Sequence, residues 1–181
     1  YSLMGISREM MVMMTLEPLL AIALVIGAVH TGSLRLPVVL DGSAWAAPVP
    51  LSGLLILGVV IASFQAFVGR VPFDTAEAET EIMEGPLIEY SGPKLALFKY
   101  AQMIKLFVYS ALFLSLFAPW GMGLCFPLNL AALLVKVIVL VLFVTLVAAT
   151  HARYRIDQAI RFYAILFGVA VIALILAANG L

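Results

Sequence analysis

Residues 128–150 read LNLAALLVKVIVLVLFVTLVAAT, and this stretch decides the fold class. Lys136 is its one charged residue. A helix needs about 20 apolar residues to cross a hydrocarbon layer of roughly 30 Å, so the stretch is long enough to span a membrane. Backbone polar groups in lipid must be satisfied within their own segment. The stretch is therefore predicted to be a transmembrane helix.

Four more stretches have the same character, at 10–29, 51–69, 95–118 and 162–178. All are too long and too apolar for strands, and none alternates as the roughly ten-residue strands of a membrane barrel do. We therefore predict an all-α fold, a polytopic integral membrane bundle of about five transmembrane helices. The whole of 1–181 is expected to form a single transmembrane domain.

The composition agrees with a membrane protein and excludes several other classes. Hydrophobic residues make up 65% of the chain and charged residues 11%, against roughly half and a quarter in soluble domains. Lys+Arg and Asp+Glu balance at 10 each, so no whole-chain charge attracts nucleic acid. The single Cys125 excludes an internal disulfide, and no Cys-x-x-Cys pair is present. We expect membrane lipid as a partner, no nucleic acid, and no metal or cofactor in this chain.

The basic residues indicate the orientation, because cytoplasmic loops carry an excess of Lys and Arg. Five spans place the N-terminal end and the loops 70–94 and 151–161 on one side of the membrane. That side holds seven cations, whereas the opposite side holds only Arg35. We predict a multi-pass protein of the cell inner (plasma) membrane, with both loops cytoplasmic and the C-terminus outside.

The loop RVPFDTAEAETEIMEGPLIEYSG at 70–92 is strongly acidic. Asp74, with Glu77 three residues later, fits a capping box, which predicts a short cytoplasmic helix from Thr75 to about Gly85. Clustered carboxylates can hold and pass protons near neutral pH, so the loop is a proton funnel, a docking surface or simply a solvated acidic loop. Its carboxylates are Asp74, Glu77, Glu79, Glu81, Glu84 and Glu89.

Three ionisable residues fall inside the predicted spans, namely Glu17, Lys105 and Lys136. Such a residue near the bilayer centre costs about 2.5–3.5 kcal/mol, so it usually faces a bundle interior and marks an ion or proton path. The alternative is an ion pair of Glu17 with one of the lysines that holds helices together. Gln65 and Gln102 are candidates for hydrogen-bonding partners along the same path or for links between helices.

The loop HARYRIDQAIR at 151–161 is rich in arginine. Arg153, Arg155 and Arg161 are suited to anionic headgroups, although positive-inside anchoring alone would explain them. Asp157 lies four residues from both Arg153 and Arg161. That spacing predicts an ion pair with one of them on a helix face.

Three stretches together resemble one family of membrane proteins. They are RVPFD at 70–74 with EAE at 77–79, then EGPLIEYSG at 84–92, then ARYRIDQ at 152–158. They resemble the signature stretches of the membrane-anchor subunit shared by respiratory complex I and the energy-converting nickel-iron hydrogenases, the NADH dehydrogenase subunit 1 family. The resemblance covers nearly the whole chain.

The opening of the chain favours the hydrogenase branch of that family. GISREMM at 5–11 with Glu17-Pro18, EGP in the acidic loop and FAPWG at 117–121 are more similar to formate hydrogenlyase and carbon monoxide-linked hydrogenases than to the quinone branch. The resemblance implies a non-catalytic subunit that couples electron transfer to proton or sodium translocation. Its partners would be hydrophilic large and small hydrogenase subunits and antiporter-like membrane subunits, with nickel-iron and iron–sulfur centres in those partners.

The resemblance also implies roles for individual residues. Arg153, Arg155 and Asp157 would lie at the interface with the hydrophilic arm. Lys105 and Lys136 join the ion path on the strength of their position within spans. The residues that the resemblance assigns to the proton or ion relay are Glu9, Glu17, Asp74, Glu77, Glu79, Glu81, Glu84 and Glu89.

Two alternatives stay open at this point. Within the family, the chain could be the quinone-chamber subunit of NADH:quinone oxidoreductase. From another class, it could be a stand-alone secondary transporter with Glu17, Lys105 and Lys136 as the coupling site. Members of the family usually carry further transmembrane helices before this point. The chain is therefore expected to be the C-terminal part of a longer subunit.

Overall fold

The computed structural model describes residues 2–41, 50–75, 85–119 and 125–180. These ranges are mostly helical and contain no strand. Among them, five helices are long and apolar enough to cross a membrane, which confirms the predicted fold class. In chain order the α-helices are α1 Ser2–Thr31, the short α2 Leu36–Val39, α3 Leu51–Val68, α4 Pro93–Phe117, α5 Phe126–Thr150 and α6 Ile156–Ala178.

Two helices extend well beyond the apolar stretches that predicted them. Helix α1 begins at Ser2 and continues unbroken through Pro18, and α6 begins at Ile156. Hydropathy marks only the apolar part of a helix, whereas polar residues such as Arg8 and Glu9 belong to the same helix without raising its hydropathy. The predicted spans at 10–29 and 162–178 therefore begin later in the sequence than the helices themselves.

Proline and glycine mark the other helix ends in the expected way. Pro93 and Pro127 lie in the first turns of α4 and α5, where the missing N–H has no helical partner to lose. Gly69 ends α3 with a left-handed φ of 71°. The Arg70 N–H then reaches back to the Gln65 carbonyl at 3.1 Å. This turn leads the chain directly into the 70–75 segment.

The core lies where α1, α3 and α6 pack together. Leu19 and Ile26 of α1, Ile56 of α3 and Tyr163 of α6 are fully buried there. Small side chains let the helix backbones approach closely. Helix α6 supplies a row of them, the buried Ala170, Ala173 and Ala177.

Helices α4 and α5 pack against each other, and α4 also contacts α3. Their outer faces expose large apolar side chains such as Leu97, Met103, Leu142 and Leu146. Such faces would be a liability in water, but they suit a lipid environment or neighbouring transmembrane helices.

The 70–75 segment folds back onto the start of α6. The Phe73 ring stacks on Phe162 at 5.3 Å and also lies within 5.3 Å of the Tyr154 and Tyr163 rings. A 3₁₀ turn at Gly85–Leu87 precedes α4. Most of the predicted loop helix from Thr75 to Gly85 lies outside the described residues.

Candidate functional site

A cavity of about 410 Å³ opens between α1, α3 and α4. Segment 69–75 and Leu87 complete its wall. Its volume is within the range of about 300–1,000 Å³ that is usual for small-molecule sites. Apolar side chains such as Leu16 and Phe67 form much of the lining. The ionisable residues of the lining are Glu9, Glu17, Arg70, Asp74, Lys105 and Tyr109.

Helix α1 supplies two carboxylates to this cavity. Glu9, Met13 and Glu17 follow one another at intervals of four residues, so they form one stripe of the helix. At 1.5 Å per residue, Glu9 and Glu17 lie about 12 Å apart along the helix axis. The structure thus brings both predicted relay residues of the first span into one space.

Helix α4 supplies the opposite wall. Phe98, Gln102, Lys105 and Tyr109 line the cavity, and their spacing of four, three and four residues places them on one face. The prediction that Lys105 faces a bundle interior is therefore consistent with the fold. Tyr109 was not predicted, although its position four residues after Lys105 is the sequence signal that would have found it.

The alternative of a Glu17–lysine ion pair is not seen among the residues that the structure describes. Within the described residues, Glu17 and Lys105 both line the cavity but do not approach within the 4.0 Å of an ion pair. Lys136 lies outside the cavity lining altogether. Its ammonium donates a hydrogen bond to the Ala118 carbonyl at 2.8 Å, immediately after the end of α4. The relay role predicted for Lys136 stays a prediction.

Asp74 forms an ion pair with Arg153 across the chain. Arg153 Nη2 lies 3.0 Å from Asp74 Oδ2, and the two side chains are 25% and 19% exposed. Asp74 lines the cavity, whereas Arg153 does not. The pair therefore connects the cavity wall to the segment before α6.

The neighbours of Asp74 in the 70–75 segment also form hydrogen bonds with other parts of the chain. Gln65 Nε2 of α3 donates to the Val71 carbonyl at 3.2 Å. The Tyr154 N–H donates to the Pro72 carbonyl at 2.9 Å, and Arg8 Nη1 of α1 to the Thr75 carbonyl at 3.5 Å. With the ring contacts of Phe73 and the ion pair of Asp74, every residue from 71 to 75 contacts another part of the chain, which is α3, α1 or the stretch 153–163. We call residues 71–75 the clamped segment.

Asp157 was predicted to form an ion pair with Arg153 or Arg161, and neither pair is present among the described residues. Arg153 precedes α6, which begins at Ile156, so the helical four-residue spacing does not apply to it. Its partner is Asp74 instead. Asp157 is exposed in the first turn of α6, where the helix dipole favours a carboxylate. Arg155 is also exposed, and its backbone N–H donates to Gln158 Oε1 at 3.3 Å.

The two predicted glutamines lie in different places. Gln65 is buried, and besides Val71 its Nε2 donates to the Val144 carbonyl of α5 at 2.9 Å, so it links helices. Gln102 lines the cavity.

Most of the acidic loop falls outside the described residues. Glu77, Glu79, Glu81 and Glu84 lie there, so their predicted roles stay predictions. Glu89 is described, exposed and absent from the cavity lining. Across the ranges that the structure describes, no three His, Cys, Asp or Glu side chains come together as metal ligands.

Comparison with known proteins identifies the family. The pattern of the NADH dehydrogenase family matches residues 1–178, so nearly the entire sequence follows it. The chain belongs to the NADH dehydrogenase subunit 1 family of multi-pass membrane proteins.

Relatives from different complexes are similar to it. Formate hydrogenlyase subunit 4 of Escherichia coli (strain K12) is 34% identical over 97% of this chain and 59% of its own. NADH-ubiquinone oxidoreductase chain 1 of Paracentrotus lividus is 33% identical over 87% of this chain and 49% of its own. A chain in the structure of the membrane-bound sulfane sulfur reductase, described as an archaeal respiratory membrane complex, superposes with a TM-score of 0.83 at 28% identity. That match covers 98% of this chain and 60% of the other.

The chain spans about half to three fifths of the length of the relatives that it matches. Those relatives are named as parts of multi-subunit complexes. The recognition made from the sequence is thereby confirmed at the level of the family.

Proposed function

We propose that the chain is a non-catalytic membrane subunit of an energy-converting hydrogenase complex, in which it links electron transfer in a hydrophilic arm to proton or sodium movement. One observation carries the proposal. Carboxylates from α1 and from the clamped segment share a cavity with a lysine of α4. The 34% identity to formate hydrogenlyase subunit 4 supports the choice of the hydrogenase branch.

The cavity has the properties that a proton path needs. Glu9, Glu17 and Asp74 are the groups that would accept and release a proton, and Lys105 lines the same cavity. Proton transfer requires neighbours within hydrogen-bond reach, about 2.6–3.2 Å. Glu9 and Glu17 are about 12 Å apart along α1, so water molecules must bridge them. A space of about 410 Å³ holds several.

The acidic loop would extend this path outward. We propose that Glu77, Glu79, Glu81, Glu84 and Glu89 gather ions at the cytoplasmic mouth, and that the C-terminus lies on the outer side. Arg155 and Asp157 are exposed beside the clamped segment, where a hydrophilic arm would dock. In this arrangement the nickel-iron and iron–sulfur centres belong to the hydrophilic large and small subunits, and antiporter-like subunits continue the path in the membrane.

A second candidate function is a quinone chamber. The observation in its favour is the apolar part of the cavity wall, including Phe67 and Phe98, which would suit a ring headgroup. A relative named NADH-ubiquinone oxidoreductase chain 1 is 33% identical. Photolabelling of the whole complex with an azidoquinone distinguishes the two. Labelling of α1 or α4 that excess quinone suppresses would support the chamber, and its absence favours the ion path alone.

The test uses inverted membrane vesicles that contain the whole complex. Hydrogen evolution and the linked proton or sodium gradient are measured together, and their ratio is compared between variants. Glu17→Gln keeps the size of the side chain but removes its proton, so the ratio should fall by about tenfold or more. Hydrogen evolution by the arm with an artificial donor should survive.

Asp41→Asn is the matched control, because Asp41 is exposed beside α2 and absent from the cavity lining. Its ratio should equal that of the unaltered chain. An unchanged ratio in Glu17→Gln would remove the cavity from the ion path. A purified complex without nickel or hydrogen evolution would overturn the hydrogenase assignment itself.

A further inference from the structure

A second, much smaller space lies beyond the cavity, between the same helices α1, α3 and α4. Its volume is about 10 Å³, and the surface that faces it is entirely apolar. A bound water needs at least about 10–15 Å³ and two to four polar partners, and apolar spaces without such partners stay dry. The second space therefore has barely the room for one water and no polar group to hold it.

The second space continues the cavity along the three helices. On α1 the lining residues pass from Glu17 in the cavity to Ala23 in the second space. On α4 they pass from Lys105 to Phe117, the last residue of the helix. On α3, which runs in the opposite direction, the second space reaches back to Val60. An ion that moved straight on from the cavity would therefore have to cross this space.

Two aromatic residues separate the two spaces. Phe67 of α3 and Tyr109 of α4 line both of them, and they are the two described residues that do so. Their rings are stacked, with centroids 5.5 Å apart and an interplanar angle of 27°. Behind them Phe113 packs on Phe64, also with ring centroids 5.5 Å apart. We call the stack of Phe67 on Tyr109 the cavity floor.

We propose that the cavity floor is a dry barrier, which ends the ion path beyond Glu17 and prevents ions from leaking through the bundle along α1, α3 and α4. The proposal rests on the proposed function, because a barrier matters only where ions enter the cavity. A charge in a dry apolar layer is costly, and apolar constrictions stop conduction by excluding water. Ions that reach Glu17 must then leave the cavity sideways, toward neighbouring membrane subunits.

Ordinary packing between α3 and α4 is the competing explanation of the same stack. A packing contact stabilises the bundle, so its loss would lower thermal stability without admitting ions. A barrier excludes water, so its loss would admit ions even where the complex stays assembled. Passive ion leak therefore separates the two explanations, and it can be measured without hydrogen turnover.

The experiment measures proton leak in liposomes that contain the whole purified complex. A potassium diffusion potential drives protons inward, and a trapped pH-sensitive dye reports their entry. Tyr109→Ser removes the ring and opens the floor, so the leak should rise by about tenfold or more, because the penalty for a charge in a dry layer lowers the rate exponentially. Tyr109→Phe keeps the ring and should hold the potential as the unaltered complex does.

Two further aromatic residues of α4 supply the matched controls. Phe107→Ser changes an exposed ring that lines neither space, and Phe113→Ala enlarges the second space without opening the floor. Both should leave the leak unchanged. A tight Tyr109→Ser complex would overturn the proposal, and so would an equal rise in leak in Tyr109→Ser and Phe113→Ala.

Thiol labelling on α1 covers the case in which Tyr109→Ser does not assemble. Met13→Cys places a thiol in the cavity lining, whereas Ala23→Cys places one in the lining of the second space. With the floor intact, a small water-soluble methanethiosulfonate should label Met13→Cys and leave Ala23→Cys unmodified, as mass spectrometry of the labelled peptide would report. Labelling of both variants at similar rates would contradict a dry space behind the floor and overturn the proposal.

The proposed function and the cavity floor fail in different ways. The proposed function fails if the unaltered complex evolves hydrogen without an ion gradient. The floor fails if the unaltered complex forms the gradient and Tyr109→Ser holds an imposed potential equally well. Because the leak is measured in the absence of turnover, neither failure can be mistaken for the other.

Discussion

The Lys136 ammonium group donates a hydrogen bond to the Ala118 carbonyl at 2.8 Å, so a charged side chain of α5 binds the backbone at the end of α4. The last carbonyls of a helix have no partners within the helix, and they carry the negative end of its dipole. The Lys136 ammonium supplies both a hydrogen-bond donor and a positive charge at this helix end. Its position inside an apolar helix therefore has a structural reason.

This contact predicts that Lys136 stabilises the α4–α5 pair and leaves ion coupling unaffected. Lys136→Met keeps the apolar length of the side chain but removes the donor, and it should lower the free energy of unfolding by about 1.5–3 kcal/mol. The measurement is denaturant unfolding of the purified complex in detergent. Lys136→Arg, which keeps a cationic donor, is the control. Loss of the ion gradient in a stable Lys136→Met complex would return this residue to the path.

Gln65 is predicted to be a structural link between α3, α5 and the clamped segment. Its Nε2 contacts the carbonyls of Val144 at 2.9 Å and Val71 at 3.2 Å. Gln65→Leu should lower the free energy of unfolding by about 1–2 kcal/mol and speed hydrogen exchange at 71–75. Ser63→Ala is the comparison, because the Ser63 hydroxyl bonds only to carbonyls of its own helix. If both variants exchange alike, Gln65 does not restrain the segment.

Tyr163 is predicted to tolerate loss of its hydroxyl. The side chain is fully buried, yet its oxygen has no hydrogen-bond partner among the described residues. An unsatisfied buried polar group costs about 1–3 kcal/mol, so Tyr163→Phe should match or exceed the unaltered chain in thermal stability. Tyr163→Ala removes the ring that packs on Phe73 and should cost about 3–5 kcal/mol. A destabilised Tyr163→Phe would mean that the hydroxyl has a partner in the assembled complex.

Gly58 within α3 and Gly69 directly after it are predicted to respond oppositely to alanine. Gly69 has a φ of 71°, a conformation that costs an L-residue roughly 1–2 kcal/mol. Gly58 lies within the helix, and open space surrounds the position of an added Cβ. Gly69→Ala should therefore lower the unfolding temperature, whereas Gly58→Ala should raise it slightly through helix propensity. Equal shifts in the two variants would contradict this account of the turn after α3.

The transmembrane helices and half of the cavity could be predicted from the sequence, because both depend on local pattern. The apolar run at 128–150 and Pro127 predict α5, and Pro93 marks the start of α4. Glu17 and Lys105 could be identified as candidate lining residues because charges are costly inside apolar spans. The starts of α1 and α6 could not be predicted from hydropathy, since both helices include polar residues before their apolar part.

The clamped segment could not be predicted for a different reason. Its contacts join residues that are far apart in the chain, such as Asp74 with Arg153 and Arg8 with Thr75. The four-residue spacing of Arg153 and Asp157 suggested a local ion pair, whereas in the structure Arg153 pairs with the distant Asp74. Local spacing predicts a contact only where the helix that defines the spacing exists.

The clamped segment has one more consequence, which concerns how it responds to substitution. Its five residues are held by separate contacts that act in parallel, and one of them, from the Tyr154 N–H to the Pro72 carbonyl, joins two backbone atoms that no substitution of a side chain removes. Single changes should therefore produce small effects on its position. Only combinations that remove contacts to α1, α3 and α6 together would reveal how strongly the bundle depends on it.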